Sequence, residues 1–258
     1  MGKRSRKKIE KVPQNLDDSS LIEEIKDPSR RQKKVLKYNF KLNEIRPLTI
    51  NQKYCFIENS KKQNLIMYGV AGTGKTFLAS YFALNSLLLG EVRKIIIIRS
   101  AVSSRDQGFL PGTLQEKMAL YETPYREIFS ELCNGRRDVY DLLKKKEYLD
   151  FISTSYVRGV TFDNALIIVD EMQNCTDHEL NSILTRVGKN SRVILCGDTR
   201  QDDLKMTGKR KQETGMNILL NIADHMDSFS LVEFEIDDIV RSGFVRDYII
   251  TRVKLKYD

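Results

Sequence analysis

The 258-residue chain predicts an α/β fold built on a doubly wound, mostly parallel sheet, and three observations predict it. Short, nearly continuous apolar runs recur along the chain, as strands buried on both faces require. Longer stretches with helical spacing separate them, so strand and helix alternate. Several of the apolar runs end in glycine, aspartate or glutamate, and ligands of open α/β sheets bind outside the carboxyl ends of strands.

In chain order, Asn64–Gly69 reads as the first buried strand, and Lys75–Leu89 as a helix behind it with Leu78, Phe82 and Ser86 on one face. Lys94–Arg99, built on four isoleucines, is the second strand. Thr113–Cys133 is largely helical, with Pro124 expected to start a new turn or to kink it. Tyr148–Thr154 is the third strand, and Asp163–Val169, Ser191–Cys196 and Ser228–Phe234 follow as strands. Helical stretches near Asp177–Val187 and Thr214–Asp224 separate these, and Phe244–Leu255 closes the pattern as a helix.

The net charge of +8 is unevenly placed. Residues 1–38 hold twelve Lys and Arg against six Asp and Glu, a surplus of six that leaves +2 for the remainder. Few aromatics and only isolated aliphatics lie there, the composition of a basic, disordered or loosely helical arm able to bind nucleic acid electrostatically. The globular pattern is expected over 39–258 as one domain. No apolar run approaches the length of about eighteen residues that a membrane span needs, and the basic start has no apolar core of a signal peptide, so a cytoplasmic protein is expected. Cys55, Cys133, Cys175 and Cys196 are too dispersed for a CxxC motif and accompany only two histidines, which points to reduced, buried thiols.

Three strand ends carry the chemistry. Gly69, Val70, Ala71, Gly72, Thr73, Gly74, Lys75 and Thr76 fit the GxxxxGK[ST] phosphate-binding pattern between a strand and a helix. The glycines let backbone N–H groups turn toward phosphates, Lys75 reaches the β and γ oxygens of ATP, and Thr76 offers a hydroxyl to Mg2+. Ala165–Val169 leads into Asp170 and Glu171, of which Asp170 is placed to hold Mg2+ through water and Glu171 to orient and deprotonate the attacking water. Val193–Cys196 leads into Gly197-Asp198-Thr199-Arg200-Gln201, where Gln201 can sense the γ-phosphate through its amide.

These motifs, together with Arg99–Val102, Gly108–Gly112 and Tyr156–Phe162, resemble in order and number those of the PhoH-like family, a branch of the P-loop ATPases related to superfamily-one helicases. The resemblance covers residue 48 to about 250 and implies a RecA-like domain that binds and hydrolyses ATP, with RNA as a partner of some relatives. Two positions depart from the family's pattern: Ser100 stands where proline is usual, and Met172 where a small residue follows Asp-Glu. No nuclease domain is expected, so RNA cleavage is not implied, and the length is similar to the short forms of tailed phages. From the resemblance, Gln52 is expected to read the adenine edge, and Arg241 to stabilise transition-state charge. With one copy of each motif, Arg241 is expected to act on a neighbour's γ-phosphate in a homo-oligomeric ring, a hexamer by preference. The leading functional expectation is an ATPase of helicase or translocase type that couples hydrolysis to binding or unwinding of nucleic acid, RNA or single-stranded DNA. The alternatives are an ATP-driven switch acting on a protein partner and, third, a small-molecule kinase.

Overall fold

The computed structural model describes residues 40–100, 114–157, 159–199 and 215–255, without the side chains of 114–117. The basic arm at 1–38, the Gly108–Gly112 segment and Gln201 lie outside the described residues. Six strands, β1 (Asn64–Gly69), β2 (Lys94–Arg99), β3 (Leu149–Ser153), β4 (Ala165–Asp170), β5 (Arg192–Asp198) and β6 (Phe229–Phe234), form one sheet in the order β3-β2-β4-β5-β1-β6. Every pairing is parallel, so the described sheet is wholly rather than mostly parallel.

Alternation along the strands divides the apolar side chains between two cores. Leu65, Met67, Ile95, Ile97, Leu166 and Ile168 face one layer, and Ile66, Ile96, Ile98, Ile167 and Val169 face the other. The first layer holds helices α1 (Ile50–Ser60), α2 (Lys75–Leu89), α3 (Leu114–Leu132) and α4 (Val139–Lys145), and the second α5 (Asp177–Leu184) and α6 (Gly215–Ala223). The last helix, α7 (Gly243–Leu255), buries none of its residues. Helices α1 and α4 stand outside the elements expected from the sequence.

Helix α2 differs from the one-faced helix expected. Ten of its fifteen residues are buried, Leu78, Phe82 and Ser86 among them, because α1 and α3 pack against it in addition to the sheet. The Phe56 ring of α1 meets Phe82 edge-on at 5.0 Å. Helix α3 continues through Pro124. The missing N–H of Pro124 leaves the carbonyl one turn earlier without its helical donor. Contacts to α4 flank the proline: Lys144 Nζ donates to Glu122 at 2.6 and 2.7 Å, and Arg126 Nε donates to Asp141 Oδ1 at 3.2 Å.

Candidate functional site

From β1 the chain crosses to β2, leaving two places in the sheet that β4 and β5 fill later. The carboxyl ends of β1, β5 and β4 therefore stand side by side, at the position where open α/β sheets bind ligands. They border a cleft of about 730 Å³ lined by Gln52, Ala71–Thr76, Asp170, Glu171, Gly197, Asp198, Val240 and Arg241.

The phosphate loop leaves β1 at Gly69, whose φ of +121° and closeness to β6 demand glycine: a Cβ there would lie 2.1 Å from the Phe234 carbonyl oxygen. At Gly72 (φ +75°) a Cβ would come within 3.1 Å of Arg241 Cγ and 3.2 Å of Ile249 Cδ1. The loop ends at the start of α2, where free backbone N–H groups and the positive helix end favour an anion. Lys75 Nζ donates to the carbonyls of Val70 (2.7 Å) and Gly69 (3.3 Å), within the loop it would leave to reach a phosphate. Burial pushes its amine below the usual lysine value, against the opposing pull of Asp198 and the other acids nearby.

Asp170 at the end of β4 is buried and engaged at both oxygens. The Thr76 hydroxyl donates to Oδ1 at 3.0 Å and the Tyr125 hydroxyl to Oδ2 at 2.7 Å. Mg2+ keeps several waters and is held by one or two protein groups plus substrate phosphates rather than by an all-protein cage. That donor set fits here: among the described residues no group of three or more His, Cys, Asp or Glu could hold a metal, whereas Thr76 and Asp170 already touch. A hydroxyl that donates to Asp170 keeps its lone pairs for a cation.

Glu171 follows with φ 54° and ψ 45°, a left-handed conformation that costs a non-glycine residue about 1–2 kcal/mol. The turn separates its carboxylate from that of Asp170. Burial raises its pKa above the ordinary carboxylate value, as does the Asp170 charge, while the hydrogen bond from Gln173 opposes them. The orientation of that amide is fixed from the far side. Gln173 Oε1 accepts the Asp198 N–H at 2.9 Å, so Nε2 is the end that donates to Glu171.

Gln52 is buried rather than exposed on its helix. Its Oε1 accepts the Leu48 N–H at 2.8 Å and its Nε2 donates to the Thr73 carbonyl at 3.0 Å, which ties α1 to the phosphate loop. One N–H and one lone pair remain for a ligand. Arg241 lies beside its own phosphate loop, anchored by the Val240 N–H donating to the Gly72 carbonyl at 3.1 Å. This position follows from β6 and the turn after it, which return the chain to β1.

The structure thus brings Gln52, Lys75, Thr76, Asp170, Glu171 and Arg241 to one cleft. Gln201 belongs to the segment outside the described residues. Sequence reading missed Tyr125, which carried no motif, and left the role of Gln173 unread inside the quoted Asp-Glu-Met-Gln string. A glutamine two places after a candidate base was the available signal for the second.

A parallel sheet with helices on both faces, and a phosphate loop and an aspartate at the ends of strands with one strand between them, define a P-loop α/β domain. The PhoH-like protein family matches residues 44–252. The chain belongs to that family. It is similar to the PhoH-like protein of Mycobacterium leprae (strain TN), at 35% identity over 208 residues, 80% of this chain and 57% of that one. The PhoH-like protein of Bacillus subtilis (strain 168) is 33% identical over 213 residues, 82% of this chain and 65% of that one. The chain therefore spans between about half and two thirds of the length of these relatives. Among solved structures, the Hef helicase domain of Pyrococcus furiosus aligns with 72% of this chain and 39% of that one, at 12% identity and a TM-score of 0.42. No described helix is long and apolar enough to cross a membrane.

Proposed function

We propose that the protein is a Mg2+-dependent ATPase whose hydrolysis is coupled to binding of nucleic acid, RNA or single-stranded DNA. The observation that carries the ATPase reading is the contact of Thr76 with Asp170 at 3.0 Å, with Lys75 and Glu171 on the same cleft. The loop N–H groups and Lys75 hold the β and γ phosphates, and Thr76 and Asp170 hold Mg2+. The ion, when bound, neutralises charge on the phosphate oxygens. Glu171, its proton affinity raised by burial, accepts the proton of the attacking water. Arg241 faces the loop of its own chain and supplies positive charge in cis. Gln52 with Leu48 and Val240 borders the end of the cleft where the base would lie. Gln201 remains the proposed γ-phosphate sensor. Coupling to nucleic acid is supported by the surplus of six positive charges in residues 1–38.

The test is steady-state ATP hydrolysis with and without single-stranded RNA and DNA across a salt series. Stimulation by a strand that fades as salt rises is the expected outcome. ATP turnover indifferent to any strand at low salt would replace the coupling by a switch acting on a protein partner. No turnover at all would remove the enzyme reading.

A further inference from the structure

Asp170 is only 5% exposed, and the structure gives each of its two oxygens one hydroxyl donor. One donor, Thr76, belongs to the phosphate loop. The other, Tyr125, comes from α3, which no sequence motif connects to the site. We propose that Tyr125 is a positioning residue: its hydroxyl fixes the rotation of the Asp170 carboxylate so that Oδ1 faces Thr76 and the Mg2+ that the nucleotide brings. The proposal rests on the ATPase reading and extends it to a residue outside the loop.

A carboxylate on a strand end can turn about its last side-chain bond, because that torsion is broad and nearly two-fold. With Thr76 alone, either oxygen could take the hydrogen bond. The Tyr125 hydroxyl, 2.7 Å from Oδ2, removes that freedom, since its ring is fully buried and packed against Phe151 at a centroid distance of 5.6 Å. The rest of α3 keeps the ring in place. Tyr125 follows Pro124, and the ties from Glu122 and Arg126 to α4 flank that pair of residues. One turn earlier Tyr121 lies under the guanidinium of Arg99, 5.5 Å from its ring centroid, and Arg99 is in register with Asp170 across β2 and β4. Helix α3 therefore meets the carboxyl edge of the sheet at two successive turns.

The experiment compares wild type with Tyr125→Phe, which keeps the ring and its packing and removes only the hydroxyl. Affinity for a fluorescent non-hydrolysable ATP analogue is measured in EDTA and over a Mg2+ titration, and hydrolysis over the same titration. The expected result is unchanged affinity in EDTA, a half-saturating Mg2+ concentration raised about tenfold or more, and a smaller loss of turnover at saturating Mg2+, as for loss of a hydrogen bond to a charged group. A tyrosine that only filled the core would leave the Mg2+ titration where it was. In an Asp170→Ala background the same substitution is expected to add nothing, and this second cycle reads the coupling even if Tyr125→Phe lowers stability. If wild type gains affinity from Mg2+ and Tyr125→Phe gains as much at the same concentration, or if the two substitutions simply add, the role assigned to Tyr125 is wrong while the ATPase reading stands. If wild type itself gains nothing from Mg2+, both fall.

Discussion

Lys75 has its present partners inside the loop it belongs to, so its removal separates binding from folding. Lys75→Ala takes a partly buried charge away from backbone oxygens and deletes the group expected on the β and γ phosphates. Loss of tight ATP binding at an unchanged thermal midpoint is the expected outcome, read by nucleotide titration and calorimetry. Glu171→Gln retains size and hydrogen bonding but cannot take a proton. Single-turnover hydrolysis is expected to slow by about two to four orders of magnitude with ATP still bound. Gln52 acts on both properties at once. Gln52→Ala leaves the buried Thr73 carbonyl without its partner, worth about 1–3 kcal/mol when unsatisfied, and leaves the exposed Leu48 N–H to water. A lower denaturation midpoint together with weaker nucleotide binding would bear this out, whereas a change in binding alone would return Gln52 to a purely ligand-reading role. Met172 shows how a departure from the family pattern is absorbed. Its side chain is fully buried against Gly197, where a Cβ would come within 2.6 Å of Met172 Cγ, so the larger residue is accommodated by a glycine opposite.

Strands were the most legible elements because the central ones are runs of apolar residues buried on both faces, and every expected strand is present to within two residues at either end. The phosphate loop and the Asp170–Glu171 pair were legible for a related reason, since local spacing alone identifies them. The burial of α2 on more than one face was not, because it comes from contacts with α1 and α3 rather than from its own period. Tyr125 was illegible for the same cause: its partner is 45 residues away and belongs to a different element. Helix α1 was hidden because its buried positions include Gln52 and Glu58, polar residues that interrupt the apolar pattern. Ser86 of α2 is a case where the expected face proved correct and its purpose new. Its hydroxyl accepts from the buried Arg192 guanidinium at 2.9 Å at the start of β5, opposite the carboxyl edge of the sheet. Ser86→Ala is expected to lower stability by about 1–3 kcal/mol, measured in denaturant, without altering nucleotide affinity.

At the scale of the whole molecule the four thiols are free and buried, as expected from their dispersion. Burial pushes Cys133 and Cys175 up to about 12, so their neutral form is favoured by the fold. That contribution is present below the ordinary thiol pKa and is lost as pH rises from there toward 12, because the unfolded thiols ionise first. Alkylation of the native protein at neutral pH is expected to be slow and to follow global unfolding. Arg241 carries a prediction about assembly. With its side chain at its own phosphate loop, mixing Lys75→Ala protein with Arg241→Ala protein is expected to restore no activity, whereas recovery would reinstate a finger reaching between chains. The pairing of β1 with β6 has a further consequence in the order of synthesis. Tyr68 and Glu233 lie side by side although 165 residues separate them, and the loop's last wall, Val240 and Arg241, comes later still. At ribosomal rates of about 5–20 residues per second, roughly ten to thirty seconds pass between emergence of the phosphate loop and arrival of the strand that closes against it. Nascent chains halted before β6 are therefore expected to ignore ATP, and the nucleotide can act as a folding ligand only once β6 has been made.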